Sequence, residues 1–193
     1  MKSFRMKKLW KAISLSLCGI LTAGIIAGCG SENTVDKTTL KFGVTNFADT
    51  LEPTQNYFGW VVMRYAIGEC LAKFDEKMNV QPWLAESWSI SDDHLTWTFK
   101  IRDNVKFSNG NPVTAEAVKK SIERAFAKNT RAKTFFEYTE MKADGQNLII
   151  TTSKPQPNMP GFLADPLFII VDVSAEEQGR DFAKEGPICT GPY

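Results

Sequence analysis

The clearest pattern in the chain is a period-two alternation from Leu95 to Ile101. Leu95, Trp97, Phe99 and Ile101 alternate with Thr96, Thr98 and Lys100, so the four apolar side chains share one face of a strand. Ala85 to Ile90 also reads as extended, with Trp88 and Ile90 on one face. Ser91-Asp92-Asp93-His94 joins the two, and Asp and Ser favour turns because their side chains hydrogen-bond the nearby backbone. The pair predicts a β-hairpin with a buried aromatic face. Asp144-Gly145 between Thr139–Ala143 and Asn147–Thr152 predicts a second hairpin. Leu71–Phe74 and Val80–Trp83 flank a polar turn.

Helical spacing appears twice. Val118, Ile122, Ala125 and Phe126 follow i, i+4, i+7, i+8, with Lys119, Lys120, Glu123 and Arg124 on the other face. Thr114 is the expected N-cap, and Glu116 places negative charge in the first turn. Trp60 to Leu71 reads as a second helix, through Val61, Met63, Ala66, Ile67, Cys70 and Leu71. Asn129–Lys133 reads as a basic loop and Lys154–Gly161 as an irregular Pro-rich segment. The apolar run Leu167–Val173 has strand length, and Ser174 is the expected cap of a short helix through Glu177. Thr39–Thr45 alternates and predicts a strand.

The N-terminus is different in kind. Lys2, Arg5, Lys7, Lys8 and Lys11 are followed by apolar and small residues to Gly28, with no acid before Cys29. A basic head, an apolar middle and a small-residue cleavage site describe a secretory signal. Ile26-Ala27-Gly28-Cys29 resembles a bacterial lipobox, which implies a lipid on Cys29 and a chain held outside the cytoplasm at the membrane. An uncleaved transmembrane helix is the alternative, the apolar run being borderline in length. The formal charge of the 193 residues is +1, and with the leader removed the remainder is mildly acidic. Nothing in it suggests a nucleic-acid partner.

The middle of the chain carries a resemblance. Leu84-Ala85-Glu86-Ser87-Trp88, Ser91-Asp92-Asp93, Trp97-Thr98-Phe99, and the run from Arg102 to Gly110 follow one another in the order found in a known family. That family is the extracytoplasmic solute-binding proteins for peptides and nickel that serve ABC importers. Asp49-x-Leu51-x-Pro53, Glu69-Cys70-Leu71 and Cys189-Thr190-Gly191-Pro192-Tyr193 resemble further family words, Cys189 standing where the family has Gly. Lys106-Phe107-Ser108-Asn109-Gly110 and Pro82-Trp83-Leu84-Ala85 look closest to the nickel branch.

The resemblance implies an α+β, periplasmic-binding-protein-like fold of type II, peptide/nickel class, truncated to the start of lobe one plus the inserted extra domain. The implied layout is a signal at 1–28, a tether at 29–38, the start of lobe one at 39–70, the inserted domain at 71–173 and a return towards lobe one at 174–193. It further implies a monomer, ABC permease and ATPase partners, and a small solute captured by lobe closure. A nickel chelate is the first expectation and a peptide the second. A non-transport surface or signalling lipoprotein is the alternative of another class.

Candidate chemistry is sparse. His94, the one histidine, sits beside Asp92 and Asp93, but adjacent turn residues point in different directions, so a solvated turn is expected rather than a metal site. No P-loop or dinucleotide fingerprint is present, and neither Cys70 nor Cys189 lies in a catalytic motif. No enzyme and no cofactor are expected. Asp92-Asp93 and Glu176-Glu177 read as surface. Arg131 stands out, with Phe135 as a candidate beside it, because an Arg fork next to aromatics such as Phe135-Phe136 can hold a carboxylate. Nickel-binding relatives place a ligand-facing Arg near this position, although they follow it with a Trp where this chain has Thr134 and Phe135. A surface Arg in a basic loop is the alternative. Tyr57 and Trp60 lie where relatives place ligand-facing residues, and core aromatics are the alternative there.

Overall fold

The computed structural model describes Gly43 and residues 49–192. The leader, Cys29, the tether and the strand expected at Thr39–Thr45 lie outside the described residues, apart from Gly43. Everything below concerns the compact unit that begins at Asn46.

The two expected hairpins form, and they join. β3 (Ala85–Ile90) pairs with β4 (Thr96–Ile101), and β5 (Glu140–Asp144) pairs with β6 (Asn147–Thr151). β4 and β6 then pair antiparallel, giving one four-stranded sheet in the order β3-β4-β6-β5. Trp97 lies opposite Ile150 and Phe99 opposite Leu148. The alternation decides which face is buried: Trp97, Phe99, Ile101, Leu148 and Ile150 point into the core, while Thr96 and Thr151 meet on the other face, Oγ1 to Oγ1 at 3.3 Å. The first turn is built as the side chains require. Asp93 Oδ1 accepts from the Ser91 hydroxyl and from Leu95 N–H, Ser91 Oγ accepts from Thr96 N–H, and His94 takes a positive φ of 59°. His94 is exposed there.

β1 (Ala72–Phe74) and β2 (Val80–Pro82) form a separate two-stranded ribbon. Its turn is organised by Asp75, whose Oδ1 accepts from Lys77 and Asn79 N–H.

The long helix, Ala115–Lys128, covers the sheet, with the Thr114 hydroxyl accepting from Ala117 N–H at its start. Val118, Ile122 and Ala125 are buried as the spacing predicts, against Phe99, Leu148 and Ile150 in one core cluster. Arg124 departs from that pattern. It was expected on the outer face with the lysines but is only 7% exposed. Its fork lies against Glu52, Nη1 to Oε1 at 3.0 Å and Nη2 to Oε2 at 2.6 Å, and Glu176 takes Nε and Nη2 on the other side. Glu176, expected as surface, is therefore part of this ion-paired joint, with Lys128 Nζ at 2.6 Å.

Three other expectations change. The helix over Trp60–Leu71 is shorter, Phe58–Arg64. It stops because Ala66 takes a positive φ of 55° and the chain then passes close to Ile169, which leaves no room beyond a hydrogen at Gly68. Cys70 and Leu71 are buried, but in the extended approach to β1. The apolar run expected as a strand opens as a 3-10 turn, Pro166–Phe168, and continues extended and buried. Its backbone has scattered partners instead of a ladder: Ile170 N–H donates to Glu69 O, Val171 N–H to Ser121 Oγ, and Asp172 N–H to Ile188 O. The helix after it, Val173–Glu177, is capped by Asp172, not Ser174. Asp172 also accepts from the Asn109 and Asn111 side chains, both at 2.7 Å.

Candidate functional site

Four elements converge on one side of this unit. The short helix Phe58–Arg64 brings Tyr57 and Trp60; the helical turn Ala132–Phe135, with Arg131 at its start, brings Arg131 and Phe135; the ribbon brings Lys73 and Phe74; and Asp165 opens the 3-10 turn. Gly59 allows the first of these to dock. A Cβ at Gly59 would lie 2.4 Å from Pro166 O, so only Gly lets the helix approach the Asp165-Pro166 backbone this closely.

Between these elements is a cavity of about 600 Å³, with Trp60, Met63, Lys73, Trp83, Phe135 and Asp165 among its lining residues. Its wall is unusually apolar for a surface. Trp60 is 48% exposed, Phe74 43% and Met78 71%, and all three border it. Exposed large apolar side chains gathered in one place mark a surface meant to be covered.

Arg131 reaches the rim of this cavity through Phe135 and Asp165, both of which line it. Its guanidinium carbon lies 5.3 Å from the Tyr57 ring centroid and 5.2 Å from that of Phe135. Nη2 donates to Asp165 Oδ1 at 2.8 Å. Nε and Nη1 make no hydrogen bond among the described residues. The loop is set by its neighbours: Asn129 Oδ1 accepts from Arg131 N–H at 2.9 Å, and Asn129 Nδ2 donates to Thr54 O at 2.6 Å. Asp165 is fixed too, because Oδ1 also accepts from Leu167 N–H at 2.9 Å and caps the 3-10 turn.

The four residues singled out in the sequence, Arg131, Tyr57, Trp60 and Phe135, thus lie on one face. Tyr57 and Phe135 flank Arg131, while Trp60 and Phe135 line the cavity. Sequence reasoning missed Asp165, Lys73 and Trp83. Asp165-Pro166 is legible as the start of a turn, but no local signal ties it to an Arg 34 residues earlier. The arrangement offers an anion the guanidinium N–H groups that have no partner among the described residues, and aromatic faces for stacking.

Metal ligation by the protein is a different matter. Among the described residues no group of three or more His, Cys, Asp or Glu could hold a metal ion. Cys70 and Cys189 are free thiols buried in the second apolar cluster. Burial pushes both thiols up, Cys189 to about 12, so neither is a nucleophile near neutral pH. Cys189 has no positive φ, and the Gly-to-Cys exchange in that word strains nothing in the backbone. The same word is locked to Glu69-Cys70-Leu71, since Thr190 Oγ1 donates to Glu69 Oε2 at 2.6 Å and Gly191 N–H to Ile67 O.

Residues 79–193 match the model of the bacterial extracellular solute-binding proteins, family 5, middle region. The chain belongs to that family. It is similar to the nickel-binding protein NikA of Staphylococcus aureus, 29% identical over 169 residues, covering 88% of this chain and 33% of that one. It is also similar to the glutathione-binding protein GsiB of Escherichia coli K12, 32% identical over 124 residues, covering 62% of this chain and 24% of the other. Among solved structures, a nickel ABC transporter protein from Bacillus halodurans superposes with a TM-score of 0.68 at 38% identity, over 75% of this chain and 29% of that one. The fold is that of the type II periplasmic binding proteins, and the chain spans about a third or less of the length of these relatives.

Proposed function

We propose that this chain carries one wall of the solute site of an extracytoplasmic binding protein that delivers nickel, as an organic chelate bearing carboxylates, to an ABC permease and its ATPase. The observation that carries the reading is Arg131, whose guanidinium lies by the Tyr57 and Phe135 rings at the rim of the apolar cavity, with Nε and Nη1 making no hydrogen bond among the described residues. A nickel chelate with carboxylate ligands suits such a site, because the Arg takes the carboxylate and the rings cover the chelate's apolar parts while the metal keeps its own ligands. The names of two of the relatives support nickel as cargo. A short peptide is the second reading, favoured by the glutathione-binding relative, since a peptide's C-terminal carboxylate suits the same Arg.

The division of the chain read from the sequence belongs to this proposal, with 39–70 and 174–193 contributing to lobe one around an inserted 71–173. High affinity in a clamshell needs contacts from both walls. Binding by this chain is therefore expected to be no tighter than about millimolar, which is roughly −4 kcal/mol. Low-affinity calorimetric titration with nickel(II) and excess L-histidine should give a weak saturable heat that Arg131→Ala abolishes. Equal isotherms for the two proteins would remove Arg131 from the site, and a micromolar 1:1 isotherm would show that one wall suffices.

The anchor is a separate part of the proposal. Cys29 lies outside the described residues, and the lipid reading rests on the Ile26-Ala27-Gly28-Cys29 word after a basic, apolar leader. Among the described residues no helix is long and apolar enough to cross a membrane. Mass spectrometry of the membrane fraction is expected to find an N-terminal peptide beginning at diacylglyceryl-modified Cys29. A mature N-terminus elsewhere would refute the anchor.

A further inference from the structure

We propose that Asp165 sets the charge selectivity of the Arg131 site, so that it accepts a single ligand carboxylate and turns away multiply charged anions. The proposal rests on the reading of Arg131 as a carboxylate clamp and names what limits that clamp.

The argument starts from how the guanidinium is divided. Asp165 Oδ1 holds Nη2 at 2.8 Å and is itself held by Leu167 N–H at 2.9 Å. The carboxylate cannot swing away without uncapping the 3-10 turn, whose first residue, Pro166, meets Gly59. Asp165 is more buried than its partner, with 18% of its side chain exposed against 30% for Arg131. A ligand therefore does not displace Asp165; it adds on the remaining edge. Nε and Nη1 make no hydrogen bond among the described residues, and since each forms a two-point edge only together with Nη2, a ligand carboxylate takes the edge that Asp165 leaves and shares Nη2 with it.

The pair is neutral as it stands. One ligand carboxylate on the open edge gives the Asp–Arg–carboxylate group a charge of −1, which the guanidinium between the two acids can bridge. A second or third carboxylate on the same ligand meets Asp165 Oδ2, which accepts no hydrogen bond among the described residues, at short range beside an apolar wall. Like charges at such short range repel even where the pair is partly exposed. Lys73, the other charged residue lining the cavity, is exposed and lies over the Trp83 ring at 5.6 Å, so solvent screens it. On this account the site suits a monocarboxylate or zwitterionic ligand, or a chelate in which the metal has neutralised the remaining acids.

The test compares two diamagnetic probes, N-acetylglycine with one carboxylate and tricarballylate with three. Binding to the full chain is read from NMR shifts of the Trp60 and Trp83 indole N–H groups. The wild type should prefer N-acetylglycine. Asp165→Asn keeps the oxygen that caps the turn and receives Arg131, so only the charge is lost; tricarballylate affinity should rise about tenfold with N-acetylglycine changed less than twofold. Asp165→Ser, which also retains a capping oxygen, should shift the ratio in the same direction. An unchanged ratio in both variants overturns the assignment of Asp165, as does failure of the wild type and both variants to bind either probe. Arg131→Ala separates the two ideas. If it binds both probes as the wild type does, the clamp reading fails; if it binds neither while Asp165→Asn leaves the ratio unchanged, only the role of Asp165 fails.

Discussion

Arg124→Ala is expected to lower the stability of this chain by about 3–5 kcal/mol, the usual consequence of removing one partner from a buried ion pair. Arg124 is 7% exposed and Glu52 5%. The Arg fork takes both Glu52 oxygens, Glu176 closes the other side, and the Phe182 ring lies 4.8 Å from the guanidinium carbon. Without Arg124 the Glu52 carboxylate keeps, among the described residues, only Thr54, through its hydroxyl and its N–H. Three distant segments also lose their joint: the entry segment at Glu52, the long helix and the helix carrying Glu176.

The sign of the pH dependence follows. The Arg124 hydrogen bond, with Lys128 adding to it, outweighs partial burial and holds Glu176 at about 2. Burial pushes Glu52 up, but Arg124 and Thr54 together outweigh it and leave its carboxyl below the ordinary value. A depressed carboxyl pKa contributes stability that is present above the ordinary value of 4.5 and is lost as pH falls towards about 2. In Arg124→Ala the larger part of that contribution is gone, Lys128 staying beside Glu176, and burial dominates at Glu52. The gap between wild type and variant should thus be largest near pH 7 and narrow by pH 3. Urea unfolding at the two pH values checks both statements. A gap under about 1 kcal/mol at neutral pH, the level of an exposed pair, would mean that the joint contributes little.

Phe168→Ala is expected to cost about 3–5 kcal/mol as well, through lost burial and the cavity left behind. Phe168 is 1% exposed, and its ring faces Phe126, Phe135 and Phe136 at centroid distances of 5.9, 5.5 and 5.6 Å. The consequence reaches the candidate site. Phe135 packs on Phe168 with one edge and flanks Arg131 with its face. A void at 168 lets Phe135 tip into the core and withdraws one of the two rings that hold the guanidinium. Denaturant unfolding should show the loss in midpoint. Calorimetric titration with nickel(II) and L-histidine, run well below that midpoint, should show weaker binding than in the wild type. A loss under about 1 kcal/mol would show that the neighbouring rings close the gap.

Features that depend on neighbours along the chain were legible in the residues themselves. Period two from Leu95 to Ile101 fixed the buried face of β4, because successive side chains must point to opposite sides. Asp93 and Ser91 fixed the turn, Thr114 the helix start and Asp144-Gly145 the second hairpin, because each satisfies backbone groups within a few residues of itself. The family was legible in word order; Tyr57 and Trp60 were legible as candidates through that resemblance, and Arg131 with Phe135 through an Arg fork set beside aromatics.

What those residues meet depends on packing between distant segments. Arg124 sits on the polar side of its helix by spacing, and only Glu52 and Glu176, 72 and 52 residues away, make burial favourable there. Ile169–Val171 has the composition of a strand, yet the neighbours it meets offer single acceptors and donors rather than an edge, so no ladder forms. The helix holding Trp60 ends at Arg64, Ala66 turns the chain with a positive φ, and Gly68 then packs against Ile169, a contact across a hundred residues. Asp165 beside Arg131 is of the same kind. An ion pair has no period and no cap, so its partner is settled by packing, once Gly59 has allowed the helix to close on Pro166.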